Sequence, residues 1–113
     1  MAPVYRSPLR SRRDDVDLDR AVEHALAHSL VAVGGVLDPA PRTLDEAVDH
    51  VATTYDGRAA ARLDRFAAAP TGSFVWTRHP DGDLWLGRIT GPWRYDSSPT
   101  ALELDLPHVR DCT

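Results

Sequence analysis

The sequence has no lysine, only one cysteine and no long apolar run, and each of these absences excludes something. The single cysteine, Cys112, rules out an internal disulfide. No stretch of about 18 apolar residues occurs, so the sequence predicts no membrane-spanning helix. No apolar signal-peptide core follows the first arginines, and we therefore expect a cytoplasmic protein without a membrane partner.

The common catalytic and cofactor motifs are missing as well. The chain has no phosphate-binding loop, no dinucleotide glycine fingerprint and no Gly-x-Ser-x-Gly elbow. His24 and His28 lie one helical turn apart, but no third metal ligand is near them in the sequence. Nuclease sites often combine acidic residues with a lysine, which this chain lacks. We therefore predict a non-catalytic protein with no cofactor and no bound metal.

What is present is enough for one folded domain. The chain has 113 residues, of which 42% are hydrophobic, and a formal net charge of −4. This charge argues weakly against nucleic-acid binding. However, all 13 basic residues are arginines, whose forked guanidinium groups suit phosphates and bases. The position of the arginines therefore decides what they do.

The pattern along the chain changes from helical to extended. Residues 1–13 look like an extended, arginine-rich arm, and residues 14–69 predict helices. Within them, one helix is expected over residues 14–33, with an apolar face at spacings of four and three. A second begins at Thr43, where Thr43 and Glu46 form a capping box. Gly57 is expected to break or bend that helix.

Residues 72–113 predict short strands separated by turns. Residues 72–78 and 84–90 flank a turn at residues 79–83, and residues 108–112 form a last strand. Helices followed by strands indicate an α+β fold, with the helices packed on a small curved β-sheet or barrel. The single domain then covers residues 14–113, and its abrupt last strand suggests a domain cut from a longer protein.

Aromatic residues cluster in this second half. Trp85, between two leucines, is expected in the core, whereas Trp93 and Tyr95 follow Gly91-Pro92 and are placed to line a pocket mouth. Arginines alternate with these aromatics. Stacking aromatics beside arginines are typical of proteins that bind an exposed base. A small barrel core with a charged rim fits the same spacing equally well.

One stretch also resembles a known signature. Residues 87–96 read GRITGPWRYD, which is similar to the signature of PUA-superfamily domains related to EVE and YTH domains. Modules of this kind occur in modification-dependent (type IV) restriction proteins. Residues 72–78 and 108–110 look like the strands that flank the signature. The resemblance covers about residues 59–113.

The resemblance implies a non-catalytic DNA-binding domain that holds a modified base, flipped out of its strand, in an aromatic cage. It favours 5-methylcytosine, with methylated DNA as the partner and a nuclease domain or another protein as a further one. The implied base-binding residues are Trp76, Trp93 and Tyr95, with Ser73, Thr77 and Asp96 at the base edge. The implied phosphate-binding residues are Arg78, Arg88 and Arg94, with Arg10, Arg12 and Arg13 from the arm.

Three other functions stay open at this point. The same fold is compatible with a reader of modified or single-stranded RNA. A protein-interaction module would use the aromatics as an interface. A small nuclease or base hydrolase is the third alternative, although no catalytic constellation supports it.

Overall fold

The predicted α+β fold is confirmed in a computed structural model, which describes residues 4–7, 9 and 11–113. Helices and short strands are mixed along the described chain. In order, the elements are β1 (Val4–Arg6), α1 (Leu18–Ala27), β2 (Leu30–Val33), α2 (Leu44–Thr54), α3 (Gly57–Ala68), β3 (Phe74–Arg78), β4 (Leu84–Arg88), β5 (Arg94–Tyr95), α4 (Pro99–Glu103) and β6 (His108–Asp111).

The strands form two three-stranded sheets and do not close into a barrel. The first sheet has the order β1-β3-β4, with β1 parallel and β4 antiparallel to β3. The second has the order β2-β6-β5 and is antiparallel throughout. They meet at one corner, where Ile89 bridges Cys112 and the backbones of Arg88 and Thr113 exchange two hydrogen bonds. Of the two expected arrangements, a small curved sheet or a closed barrel, the structure therefore has open sheets.

The long first helix predicted over residues 14–33 is wrong at both ends, because α1 covers only Leu18–Ala27. Helix α1 ends at Ala27, and Ser29 adopts a left-handed backbone with φ of 53° that turns the chain. Leu30–Val33 then forms β2, which pairs with β6 and is buried over most of its length. A short apolar run buried on both faces has no period of its own, so it extended the helical pattern by chance.

The predicted start of the second helix at Thr43 is confirmed, and so is the predicted interruption of that helix at Gly57, which is the first residue of α3. The Thr43 hydroxyl accepts from the Glu46 backbone, and the Glu46 carboxylate accepts in return from the Thr43 backbone. Such a cap is worth about 1 kcal/mol. The chain breaks before Gly57, where the Asp56 side chain caps α3 by accepting from the Ala59 backbone N–H at 2.7 Å. These two helices stand as a pair over one end of the second sheet.

The N-terminal segment lies against the domain. After β1, the Ser7 backbone donates to the Trp76 carbonyl at 2.8 Å. Leu9 is buried in the cluster beneath α1, and the Ser11 hydroxyl donates to the Asp105 carboxylate at 2.6 Å. The described part of the segment thus crosses the space between the first sheet and α4.

The expectation that Trp85 lies in the core is wrong. Trp85 is 51% exposed, and its neighbours Leu84 and Leu86 are 62% and 65% exposed. Strand β4 is at the edge of its sheet, and in the described chain neither of its faces is covered by another layer. An apolar run of this kind normally predicts burial, but burial also requires a neighbouring element. None of the helices in the described residues is long and apolar enough to span a bilayer.

Candidate functional site

A cavity of about 660 Å³ opens between the N-terminal segment, β2 and α3. Its walls are mostly apolar, with Val31, Val33, Phe66, Val75 and Ile89 among the lining residues. Small-ligand sites in proteins commonly have volumes of about 300–1,000 Å³. The cavity is therefore large enough for a single nucleotide base or a ligand of similar size.

Four arginines surround this apolar space: Arg6, Arg12, Arg62 and Arg65. Arg62 and Arg65 are exposed and three positions apart on α3, so they lie on one face of the helix. Within the described chain, neither has a carboxylate at ion-pair distance, whereas Arg12 lies 3.3 Å from Asp56. The chain is acidic overall, yet it concentrates positive charge here.

Asp105 is the one acidic residue that lines the cavity in the described structure. It is only 6% exposed and has a left-handed backbone with φ of 54°. Its Oδ1 accepts from the Gly35 backbone N–H at 2.9 Å, and its Oδ2 accepts from the Ser11 hydroxyl at 2.6 Å. A Cβ on Gly34 would lie 2.7 Å from Oδ2 and 3.2 Å from the Asp105 carbonyl oxygen, so any larger residue there would displace the carboxylate. Asp105 is thus held in one position.

Trp93 and Tyr95, two of the predicted cage residues, lie together around the buried His108. The Trp93 indole N–H donates to His108 Nδ1 at 3.2 Å, and His108 Nε2 donates to the Gly35 carbonyl at 2.8 Å. The Tyr95 hydroxyl accepts from the Leu37 backbone N–H at 2.9 Å and donates to the Leu37 carbonyl at 3.2 Å. Both rings pack against the core beneath α2 and α3. The hydrogen bonds to His108 and Leu37 already engage the polar atoms of the two side chains.

Trp76, the third predicted cage residue, lies in the other sheet. It is half-buried on β3, and the Arg6 guanidinium carbon lies 5.5 Å from its ring centre. The structure thus brings Trp93 and Tyr95 together and holds Trp76 apart from them in a different sheet. None of these three aromatics lines the large cavity.

The predicted base-edge residues are likewise scattered. Ser73 is buried and its hydroxyl donates to the Pro70 carbonyl at 2.5 Å. Asp96 accepts from the Ser98 backbone N–H at 2.9 Å within a turn. The Thr77 hydroxyl is buried on β3 and has no hydrogen-bond partner in the described chain. None of the three lines the cavity.

Most of the predicted phosphate-binding arginines make contacts within the protein. Arg78 donates to the Gly82 carbonyl, Arg94 pairs with Asp111 at 3.1 Å, and the Arg88 guanidinium carbon lies 4.8 Å from the Phe74 ring centre. Arg12 pairs with Asp56. Arg13 pairs with Asp15 and also donates to the backbone carbonyls of the last two residues of α4. Arg10 lies outside the described residues. Of the predicted set, only Arg12 lines the cavity.

The arginines of α3 were missed in the sequence, although a signal for them was present. Arg62 and Arg65 share a helical face with Phe66 close beside them, a pattern in which cations rim an apolar contact. The strands of the second half, where arginines alternate with five aromatic residues, show the stronger pattern of this kind. Asp105 carried no signal, since its contacts with Ser11 and Gly35 span 94 and 70 positions of sequence.

Burial of His108 predicts a pH dependence of stability. Loss of solvation lowers the pKa of the imidazole, only partly offset by the hydrogen bond to Gly35 and the charge of Asp105. The unfolded state, with a pKa of about 6.5, then binds a proton before the folded state does. The contribution of neutral His108 to the free energy of unfolding is therefore fully present above about pH 7. It falls with decreasing pH below about 6.5, by up to about 1.4 kcal/mol per pH unit.

Urea unfolding between pH 7.5 and 5.5 measures this slope. His24 contributes in the same direction, because burial and His28 lower its pKa too. His24→Gln should therefore keep most of the slope, and His108→Gln should remove most of it. An NMR titration of the wild-type imidazoles checks the assignment, and a His108 signal titrating above 6.5 would contradict it.

Metal binding finds no support in the described residues, where no group of three or more His, Cys, Asp or Glu side chains is placed to hold an ion. Comparison with known proteins adds no assignment. No protein-family model matches the chain. No curated protein and no solved structure is significantly similar to it.

Proposed function

We propose that this chain is a non-catalytic DNA-binding domain that takes one extruded base into the arginine-rimmed cavity between β2 and α3. The observation that carries the proposal is the combination of an apolar cavity of about 660 Å³ with four arginines around it. A nucleotide is complementary to this arrangement, because its flat, uncharged base suits the apolar cavity and its anionic phosphates suit the arginines at the rim. Arginines bind phosphates with paired hydrogen bonds.

The aromatic residues of the cavity fit this ligand. Phe66 on α3 and Tyr5 on β1 both line it, and aromatic side chains stack on bases of any sequence. Stacking is worth roughly 1–3 kcal/mol per base, which offsets the few kcal/mol needed to extrude one. The proposal therefore moves base binding away from Trp76, Trp93 and Tyr95 and onto this second aromatic set.

The choice of 5-methylcytosine rests on the resemblance of residues 87–96 alone. Burial of one methyl group contributes about 1 kcal/mol, which corresponds to about a fivefold difference in affinity. Binding to methylated and unmethylated duplexes of one sequence should be compared at a fixed salt concentration. Equal affinities would exclude 5-methylcytosine as the preferred base. Tighter binding to the matching RNA would favour an RNA reader.

Replacing Arg62 and Arg65 together by alanine should weaken DNA binding about tenfold at physiological salt. The dependence of log affinity on log salt should also become shallower by roughly one to two units, because each lost phosphate contact removes about 0.9. Fluorescence anisotropy against salt concentration measures both quantities. Both residues are exposed, so the thermal stability should hardly change.

Arg42→Ala is the matched control, because Arg42 is exposed before α2 and does not line the cavity. It removes the same charge per substitution. If Arg42→Ala lowers the log affinity by half as much as the double α3 replacement does, each lost charge has the same effect, so the effect is general electrostatics and the cavity is not the site.

A protein-interaction module is the second candidate function, and one observation favours it. Leu84, Trp85 and Leu86 expose an apolar edge strand, a feature that commonly marks a contact surface. Failure to bind any nucleic acid in the experiments above would favour this alternative.

A further inference from the structure

We propose that Asp105 reads the bound base, so that the cavity selects a base with an exocyclic amino group over one with a carbonyl there. In the pyrimidine series this means cytosine over uracil and 5-methylcytosine over thymine. The inference rests on the proposed function, because it assumes that a base enters the cavity. It adds the chemical class of that base and the residue that recognises it.

The position of Asp105 is the first reason. Its carboxylate is buried at the wall of the same cavity that the arginines line, and it is the one acidic side chain among the described lining residues. The walls nearest to it along β2 are Val33 and Gly34, which offer no side-chain polar group. A base edge inserted beyond the arginines would therefore meet one strong acceptor.

The remaining hydrogen-bonding capacity of Asp105 is the second reason. An ionised carboxylate has about four acceptor positions on its two oxygens. Gly35 and Ser11 use one on each oxygen. The remaining lone pairs can accept an amino N–H, as carboxylates do from the amino group of cytosine. A carbonyl at the same place of the base would instead bring two acceptors together.

The rigidity of Asp105 is the third reason, because discrimination requires a group that cannot turn away from the wrong base. The two hydrogen bonds fix both oxygens, and the space beside Oδ2 is open only because residue 34 has no Cβ. Sites that must hydrogen-bond a ligand group reject analogues lacking it far more strongly than apolar sites reject a missing methyl.

A purely structural role is the competing explanation, since Asp105 ties Ser11 to the end of β2. The two explanations differ in their readout. A structural aspartate affects the affinity for all bases alike, whereas a base-reading aspartate changes the ratio between amino and carbonyl bases.

The test uses four DNA duplexes that differ in one bulged base: cytosine, 5-methylcytosine, uracil or thymine. A bulged base is already unpaired, so the cost of extrusion is similar in all four. The wild-type protein should prefer cytosine to uracil and 5-methylcytosine to thymine by at least about tenfold. Asp105→Asn should reduce both ratios to about threefold or less, because an amide can turn its N–H₂ toward a carbonyl.

Ser11→Ala is the control, because it removes one contact of Asp105 but leaves the carboxylate. It should keep most of the amino preference even if all four affinities fall, because the Gly35 N–H still holds Oδ1. If Asp105→Asn does not fold, the wild-type ratios and those of Ser11→Ala still decide. Wild-type ratios near one overturn this inference while leaving the proposed function intact, and an absence of binding to all four duplexes overturns both.

Discussion

Replacing Arg110 by alanine is expected to lower the free energy of unfolding by about 3–5 kcal/mol, a large share of what a domain of this size has. Arg110 is only 2% exposed on β6. Its guanidinium donates to the carbonyl of Gly91 and to the carbonyls of Phe66, Ala67 and Ala69 at the end of α3. The alanine variant leaves these buried acceptors without a donor and opens a cavity.

The charge of Arg110 is stabilised without an acidic partner at ion-pair distance in the described chain. The carbonyl ends of a helix carry partial negative charge, and here they point at the guanidinium. Burial lowers the pKa of Arg110 from its ordinary value. Arg110→Met fills most of the space but still lacks the donors, so it should recover only part of the lost stability.

Urea denaturation of wild type, Arg110→Ala and Arg94→Ala measures the effect. Arg94 is the matched control on the neighbouring strand, because its ion pair with Asp111 is exposed and worth less than about 1 kcal/mol. The midpoint temperature of Arg110→Ala should fall by at least about 10 °C. A loss below about 1 kcal/mol would mean that water or another donor replaces the guanidinium.

The second large effect concerns two tryptophans eight positions apart. Trp93→Ala is expected to cost about 2–3 kcal/mol, because it removes a ring packed on the helical core and the donor to His108. Trp85→Ala should change stability by less than about 1 kcal/mol, because half of that side chain is exposed on an uncovered strand.

Both variants should be compared by chemical denaturation under identical conditions. They remove the same side-chain volume, which makes each the control for the other. Equal losses would mean that Trp85 is buried in solution, for example by self-association. A dependence of the Trp85→Ala effect on protein concentration would identify that case.

The starts of α2 and α3 were predictable from sequence because local chemistry determines them. The caps at Thr43 and Asp56 involve residues three positions apart, and they form as soon as the helix does. The strands around the turn at residues 79–83 were also predictable, since glycine, proline and aspartate favour the turn and the flanking residues favour strands.

Burial was harder to predict, because it depends on partners distant in the chain. Residues 30–33 continue a helical pattern by spacing, yet they pair with residues 108–111 at the far end of the sequence. Trp85 was expected in the core because its neighbours are apolar, but no described element covers β4. Only the assembled fold decides which apolar residues find a neighbour.

The segments that carry the resemblance contact each other in the structure. In the segments that carry it, Trp93 bonds to His108, Arg94 pairs with Asp111, and Arg110 donates to the Gly91 carbonyl. These contacts join residues 87–96 to residues 108–111. The proposed base site lies elsewhere, on β2 and α3, where the sequence had suggested only helical packing.

The most direct test of base binding in the arginine-rimmed cavity is a chemical-shift map of the 12.4 kDa protein with the duplex carrying a bulged 5-methylcytosine. We predict the largest amide shifts at residues 31–34, 62–69 and 105, the segments that line the cavity. Shifts confined to Trp93, Tyr95 and their neighbours, or to β4, would contradict the assignment of the cavity as the site.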